Sequence, residues 1–325
     1  MFGTARPRIG IVILTLFFAL SRSLPAQAAD VPHSIWTTLG TMSGPVANPT
    51  RAQPANLLRF EDQTILIDAG DGTAEQLARA RVPLEQVQTL IITHHHFDHI
   101  GGLFAILGMR VQTLAPGILT IYGPFGTKRV VDGLVAAMQP LAAASAGMLG
   151  HAGGRPADTV RVIEVTDGSK FVIGKIAVTV AVNTHYSFPP GSADAAKYQS
   201  LAYRFDMPDR SIAFTGDTGA SANVERLAHN VDLLVSEIID PEQAIALFKK
   251  GRPDAPFFVF PIIEQHMRHE HLPPEEVGLL AEHAGAKAVV LTHNGLGPSD
   301  VDRIRPIIAK HYKGPVTFAH DLDNF

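Results

Sequence analysis

The chain has 325 residues, 46% of them hydrophobic, and no cysteine. That allows one large core or two small ones, and it excludes thiolate metal ligands and disulfide staples. With 27 basic residues against 31 acidic ones the net charge is −4, a balance that argues against a basic stripe built to hold a phosphate backbone.

The first 28 residues read as a secretory signal peptide. Met1 to Arg8 carries two arginines and no acid, and Ile9 to Leu20 is apolar apart from Gly10 and Thr15. Ala26-Gln27-Ala28 then fits a small-x-small cleavage pattern. The apolar run is too short to span a bilayer, which takes about 20 apolar residues. The expected mature chain, 29–325, is one domain, periplasmic or secreted, with no membrane association. Removing residues 1–28 takes away Arg6, Arg8 and Arg22 and no acid, so the charge falls by three from −4 to −7.

Past Asp30 no linker or repeat interrupts the pattern. "IWTTLG" (35–40), "ANLLRF" (55–60), "TILIDAG" (64–70) and "TLIIT" (89–93) predict strands, and "TAEQLARAR" (73–81) predicts the first helix. "GLFAILGMR" (102–110) predicts a second helix, and 127–149 a longer helical region broken near Pro140. A second set follows: strands at 159–165, 170–182, 200–206 and 211–217, a helix at 221–229, and a strand at 231–238. "FFVF" (257–260) reads as a buried strand, and 273–285, 286–293 and 298–312 as helix, strand and helix. Four strands run straight into polar clusters, "LIITHHH", "VAVNTH", "IAFTGD" and "VVLTH". Strand ends and their loops are where a layered α/β fold builds a site.

The first of these clusters is the most specific. "HHHFDH" reads as His94-x-His96-x-Asp98-His99, imidazole and carboxylate ligands of the kind zinc takes when no thiol is available. In a turn leaving a strand, His94 and His96 can grip one metal while Asp98 and His99 face a second. His185 can complete the first set and His293 the second, and Asp217 can bridge both metals with its two oxygens. His95 and Phe97 lie between ligands and take no metal role. His266 and His269 read as solvated.

With these residues in view, the chain resembles the metallo-β-lactamase superfamily of hydrolases, in its arylsulfatase-like and tRNase Z-like branch. "LGTMSGP", "LIDAGDGTAEQL", "THHHFDHIGGL", "YGPFGTKRVVDGL", "FTGDTG" and "VVLTHN" carry the likeness, from about Ile35 to His293. The resemblance implies a four-layer αββα sandwich with a dimetal site at one edge of its sheets. Two divalent ions are implied, zinc first, with manganese or iron as alternatives. Asp68 falls where the family places a carboxylate that supports a metal-binding histidine. His271 and Glu237 match a histidine near the scissile bond and the glutamate that orients it, which makes them, with Asp98, the expected catalytic residues. Homodimers are common in the family, so a homodimer is compatible.

Two metals about 3.5–4 Å apart can hold a hydroxide and clamp the oxygens of a displacement. The expected function is hydrolysis of small phosphodiesters or (aryl) sulfate esters. A lactonase or β-lactamase-like hydrolase is the nearest alternative, but true β-lactamases of this kind usually lack the bridging aspartate. A non-catalytic metal- or partner-binding protein on this fold would show a lost ligand, and none is missing. Only a short segment separates His185 from Asp217, where tRNase Z enzymes carry a long tRNA-gripping arm, and "NGLG" follows His293 in place of their Ser-Arg-Tyr-like continuation. With the acidic charge and the signal peptide, this makes a small-molecule ester the expected partner and nucleic acid an unexpected one.

Overall fold

The central strands of this chain are buried along nearly their whole length, with apolar residues on both faces, and the outcome is two stacked sheets covered by helices. The computed structural model describes residues 33–149, 155–189 and 191–325, with Met1 and Gly3. The expected signal peptide therefore lies outside the described residues. Among those residues, no helix is long and apolar enough to cross a membrane.

The first sheet has seven strands in the order β14-β1-β2-β3-β4-β5-β6. They are β1 (Ile35–Gly40), β2 (Ala55–Phe60), β3 (Gln63–Ile67), β4 (Thr89–Ile91), β5 (Leu119–Gly123), β6 (Val160–Glu164) and β14 (Asp323–Asn324). The second sheet has seven in the order β13-β12-β11-β10-β9-β8-β7. These are β7 (Lys170–Ile173), β8 (Ile176–Val182), β9 (Leu201–Asp206), β10 (Ser211–Phe214), β11 (Leu233–Glu237), β12 (Val289–Thr292) and β13 (Val316–Phe318).

Odd and even residues of one strand go to different layers, as a period of two requires. Leu58, Ile65, Ile67, Phe205, Ile212, Phe214 and Val235 meet between the sheets. Leu57 and Leu66, their chain neighbours, face outward onto α1 (Thr73–Arg79), α3 (Leu103–Gln112) and α4 (Thr127–Ala137). Ala213, Leu234, Val289 and Leu291 face the other way, onto α7 (Ala222–Leu227), α10 (Pro274–Ala284) and α11 (Pro298–His311). The layers are helix, sheet, sheet, helix, the αββα sandwich expected. Trp36 pins its middle, with its ring 6.0 Å from Phe205 and 5.6 Å from Phe214 and its indole N–H donating to Asn56.

Three sequence expectations are revised. The run 170–182 is a hairpin of β7 and β8, because Gly174 takes φ +57 and turns the chain back on itself. "FFVF" is no buried strand: Phe257 and Phe258 are exposed and Val259 and Phe260 open α9 (Val259–His269), where Pro261 is tolerated in the first turn. α9 and the preceding α8 (Pro241–Gly251) form a helical pair where no helix was expected. Near Pro140 the break is as expected, with α4 ending at Ala137 and α5 (Gln139–Leu149) starting two residues later.

Candidate metal centre

β3, β4, β8, β10, β11 and β12 all point their carboxyl ends to one edge of the sandwich, and the polar clusters leave from there. Asp68 follows β3, His94 and His96 follow β4, and His185 follows β8. Asp217 follows β10, Glu237 ends β11 and His293 follows β12. The opening motif divides in two by local geometry. His94 and His96 lie on the extended turn, whereas Asp98 and His99 sit on the short helix α2 (Phe97–Ile100). The turn can fold this tightly because glycines meet there: a Cβ on Gly102 would lie 2.3 Å from the Gly70 carbonyl oxygen. Asp68 and His293 hold left-handed backbone, φ +59 and +45, strain that the surrounding packing must sustain to aim these two side chains.

The structure brings the sequence-derived donors into two adjacent sets. His94, His96 and His185 form one, and Asp98, His99, Asp217 and His293 form the other, each with its donor atoms within 4.8 Å of one another. In the first set the three rings stand edge-on to each other with all centroids 4.7 Å apart. His96 Nδ1 and His185 Nε2 come within 2.9 Å. In the second set, Oδ2 of Asp217 lies 3.2 Å from Nε2 of both His99 and His293. The same oxygen is 3.9 Å from Nε2 of His94 and of His185, so it stands between the sets.

Hydrogen bonds behind the rings fix which nitrogen faces inward. His99 Nδ1 donates to Asp68 Oδ2 at 2.9 Å. The Thr93 hydroxyl donates to the same carboxylate and accepts from His94 Nδ1 at 3.0 Å. His185 Nδ1 donates to the Glu270 carbonyl at 2.8 Å. Each turns Nε2 inward, the arrangement that orients a metal-binding imidazole. Burial pushes the imidazoles of His94 and His185 well down, so both stand neutral and able to coordinate. Burial alone would lower His99 too, but Asp217 and Asp68 outweigh it and hold that ring well above its ordinary range. Burial pushes the Asp217 carboxyl up, and His293, His99 and His94 overcome it and hold it well down. The carboxylates thus demand positive charge at this point, and a divalent cation held here would supply it in place of a proton. Asp217 Oδ1 and His94 Nε2 are buried with no hydrogen-bond partner. Orphaned inward atoms, a neutral imidazole set and a shared carboxylate fit divalent metal binding.

His271 lies beside this centre, its Nδ1 2.6 Å from Glu237 Oε2. Burial raises the Glu237 carboxyl well above the usual range, with Asp217 adding to it, and burial lowers His271. The short contact to Glu237 holds the ring through Nδ1 and leaves Nε2 as its free edge. That nitrogen faces His266 Nε2 at 3.3 Å. His266 is half-buried rather than solvated: it pairs with Glu270 at 2.6 Å, and its ring lies 5.4 Å from that of His185. His269 is exposed. The signal for His266 was Glu270 four residues on, which holds the ring on the last turn of α9. Tyr186 was also missed. Its ring packs 5.5 Å from His96, and its hydroxyl accepts from the His95 N–H at 3.2 Å. His95 itself points away from the metal donors, with Nε2 2.9 Å from the Thr127 hydroxyl.

The sequence profile described as "Beta-lactamase superfamily domain" matches residues 63–294. The ribonuclease Z of Mycobacterium avium (strain 104) is 28% identical over 291 residues, 88% of this chain and 95% of that protein. The ribonuclease Z of Mycobacterium sp. (strain KMS) is 30% identical over 261 residues, 79% of this chain and 82% of its own length. Among solved structures, the metallo-beta-lactamase fold protein YhfI from Bacillus subtilis superposes with a TM-score of 0.64 at 20% identity, covering 90% of this chain and 98% of its own. Human tRNase Z, short form, gives 0.60 at 22% identity with the same coverages, 90% and 98%. Relatives named as ribonucleases along most of the chain overturn the expectation that nucleic acid is no partner. Net charge misled because it is a global sum, whereas bound cations are the largest local charges in a site of this kind.

Proposed function

The chain belongs to the β-lactamase superfamily, with the metallo-hydrolase fold of its tRNase Z-like branch, and from that we propose that it cleaves phosphodiester bonds of nucleic acids with two divalent metals. The observation that carries the reading is the position of Asp217 Oδ2, within 3.2 Å of the second donor set and 3.9 Å of two histidines of the first. Two cation sites sharing one carboxylate suit a reaction that develops charge on both an attacking and a leaving oxygen.

His94, His96, His185 and Asp217 would hold one ion, and Asp98, His99, Asp217 and His293 the other. Bound there, the metals would activate water and polarise the phosphoryl oxygens. Zinc is the first choice for this His/Asp set. Burial raises the Asp98 carboxyl, but the hydrogen bond from His293 and the charges of His99 and His293 bring it down to about 2. It therefore stays ionised and orients the attacking water as an acceptor. His271 donates a proton from Nε2 to the leaving oxygen, and Glu237 holds the ring through Nδ1. Asp68 fixes His99 and, through Thr93, His94.

The test is a side-by-side panel on metal-loaded protein: an RNA phosphodiester, an aryl sulfate, a lactone and a β-lactam. The expected result is the highest kcat/KM on the phosphodiester, abolished by Asp217→Ala in a chain whose circular dichroism is unchanged. Faster turnover of the sulfate or the lactone would contradict the reading.

A further inference from the structure

We propose that Tyr186, Phe188, Tyr198 and Phe125, with the ammonium of Lys197, form a stacking track that guides the bases of a single-stranded nucleic-acid segment to the metal centre. This rests on the phosphodiesterase reading above and names where that substrate lies. The track starts at the metal donors, where Tyr186 packs 5.5 Å from His96 and 6.0 Å from His94. It continues outward in even steps: Tyr186 to Phe188 at 5.8 Å, Phe188 to Tyr198 at 6.1 Å, and Tyr198 to Phe125 at 5.8 Å. A chain of four rings in successive contact, running out from the metal donors, is unlike a core cluster, because the outer two stay open: Tyr198 is 39% and Phe125 45% exposed.

Two separate segments build the track, and both are held in place. Tyr186 is tied to the opening motif by the bond from the His95 N–H. Phe125 rides on the turn before α4, which is braced by the contact of His95 with Thr127 and by the Gly126 N–H donating to Glu164 at 2.8 Å. His95, the member of the triplet that takes no part in the donor sets, thereby joins the two halves. Lys197 lies over both outer rings, its Nζ 4.9 Å from the centre of the Phe125 ring and 5.1 Å from that of Tyr198. Rings that offer π-faces to successive bases, with a cation for the linking phosphate, are how proteins hold single strands without reading their sequence. A cation set over the two outer rings suits a phosphate-bearing strand rather than an apolar protein surface.

The experiment measures binding to the metal-loaded, full-length protein, separately from turnover. Two fluorescent, hydrolysis-resistant 2′-O-methyl oligonucleotides of equal length are compared, one with bases and one abasic. The expected result is roughly tenfold tighter binding of the base-bearing strand. Tyr198→Ala and Phe125→Ala should each remove most of that preference, and Tyr198→Phe should keep it. Lys197→Gln should weaken both strands alike and flatten the plot of log affinity against log salt by about 0.7. Equal affinity for the two strands, or a preference that survives both alanine variants, would overturn the track. Loss of phosphodiester turnover with the preference intact would instead strike at the functional reading.

Discussion

At the scale of single residues, the site divides into donors that meet in space and supports that set their direction. His94, His96, Asp98 and His99 were legible in the sequence because their spacing is local, and a turn or one helical step decides where each points. His266 was not, since its place depends on the end of α9 meeting His271 and His185, a contact across folded elements. Glu237 and His271 were legible only through family likeness, for nothing in their spacing of 34 residues predicts a 2.6 Å pair. That pair carries a sharp expectation. His271→Ala should slow phosphodiesters with poor leaving groups by about 10²- to 10⁴-fold, the usual worth of a positioned acid, and activated aryl esters far less. Steady-state kinetics across leaving groups checks this, and equal slowing would remove His271 as proton donor.

At the scale of elements, the strands were legible from their alternation, and their bounds moved where a turn residue overrode it. Gly174 is the clear instance, turning one apolar run into two antiparallel strands. β13 and β14 escaped notice because they are three and two residues long, too short for a period to show. α9 escaped because prolines at both ends of "PFFVFP" hid its start, and α8 was missed although Asp240 ahead of Pro241 is a helix-start signal. Strand pairing also sets a pH dependence. Asp232, just ahead of β11, accepts from the Ser211 N–H at 2.7 Å and from Lys287 at 2.6 Å. Burial pushes its carboxyl up, but those bonds outweigh it and hold it at about 2. Its stabilising effect is thus complete above the unfolded-chain value near 3.9 and fades as pH falls toward 2. Asp232→Asn should cost about 1 kcal/mol at neutral pH, a figure discounted for solvent screening, and the gap to wild type should close in acid. Denaturant melts at pH 7 and pH 3 measure it, and a gap independent of pH would contradict the assignment.

At the scale of the whole molecule, two sheets of seven strands bring six strand ends to one edge, and no single segment owns the site. The αββα class was legible through family likeness, whereas strands ending in polar clusters implied only a shared site in a layered α/β fold. Substrate was not legible, because charge summed over 325 residues says little about the field inside a cleft. The account stands on one structural claim, that two cation sites share Asp217. Metal-free protein titrated with zinc, with phosphodiester turnover followed at each addition, tests it most directly. Turnover should rise to its maximum at two equivalents per chain, and Asp217→Ala should fail to reach it at any loading. Full turnover at one equivalent, or turnover indifferent to metal, would contradict the claim.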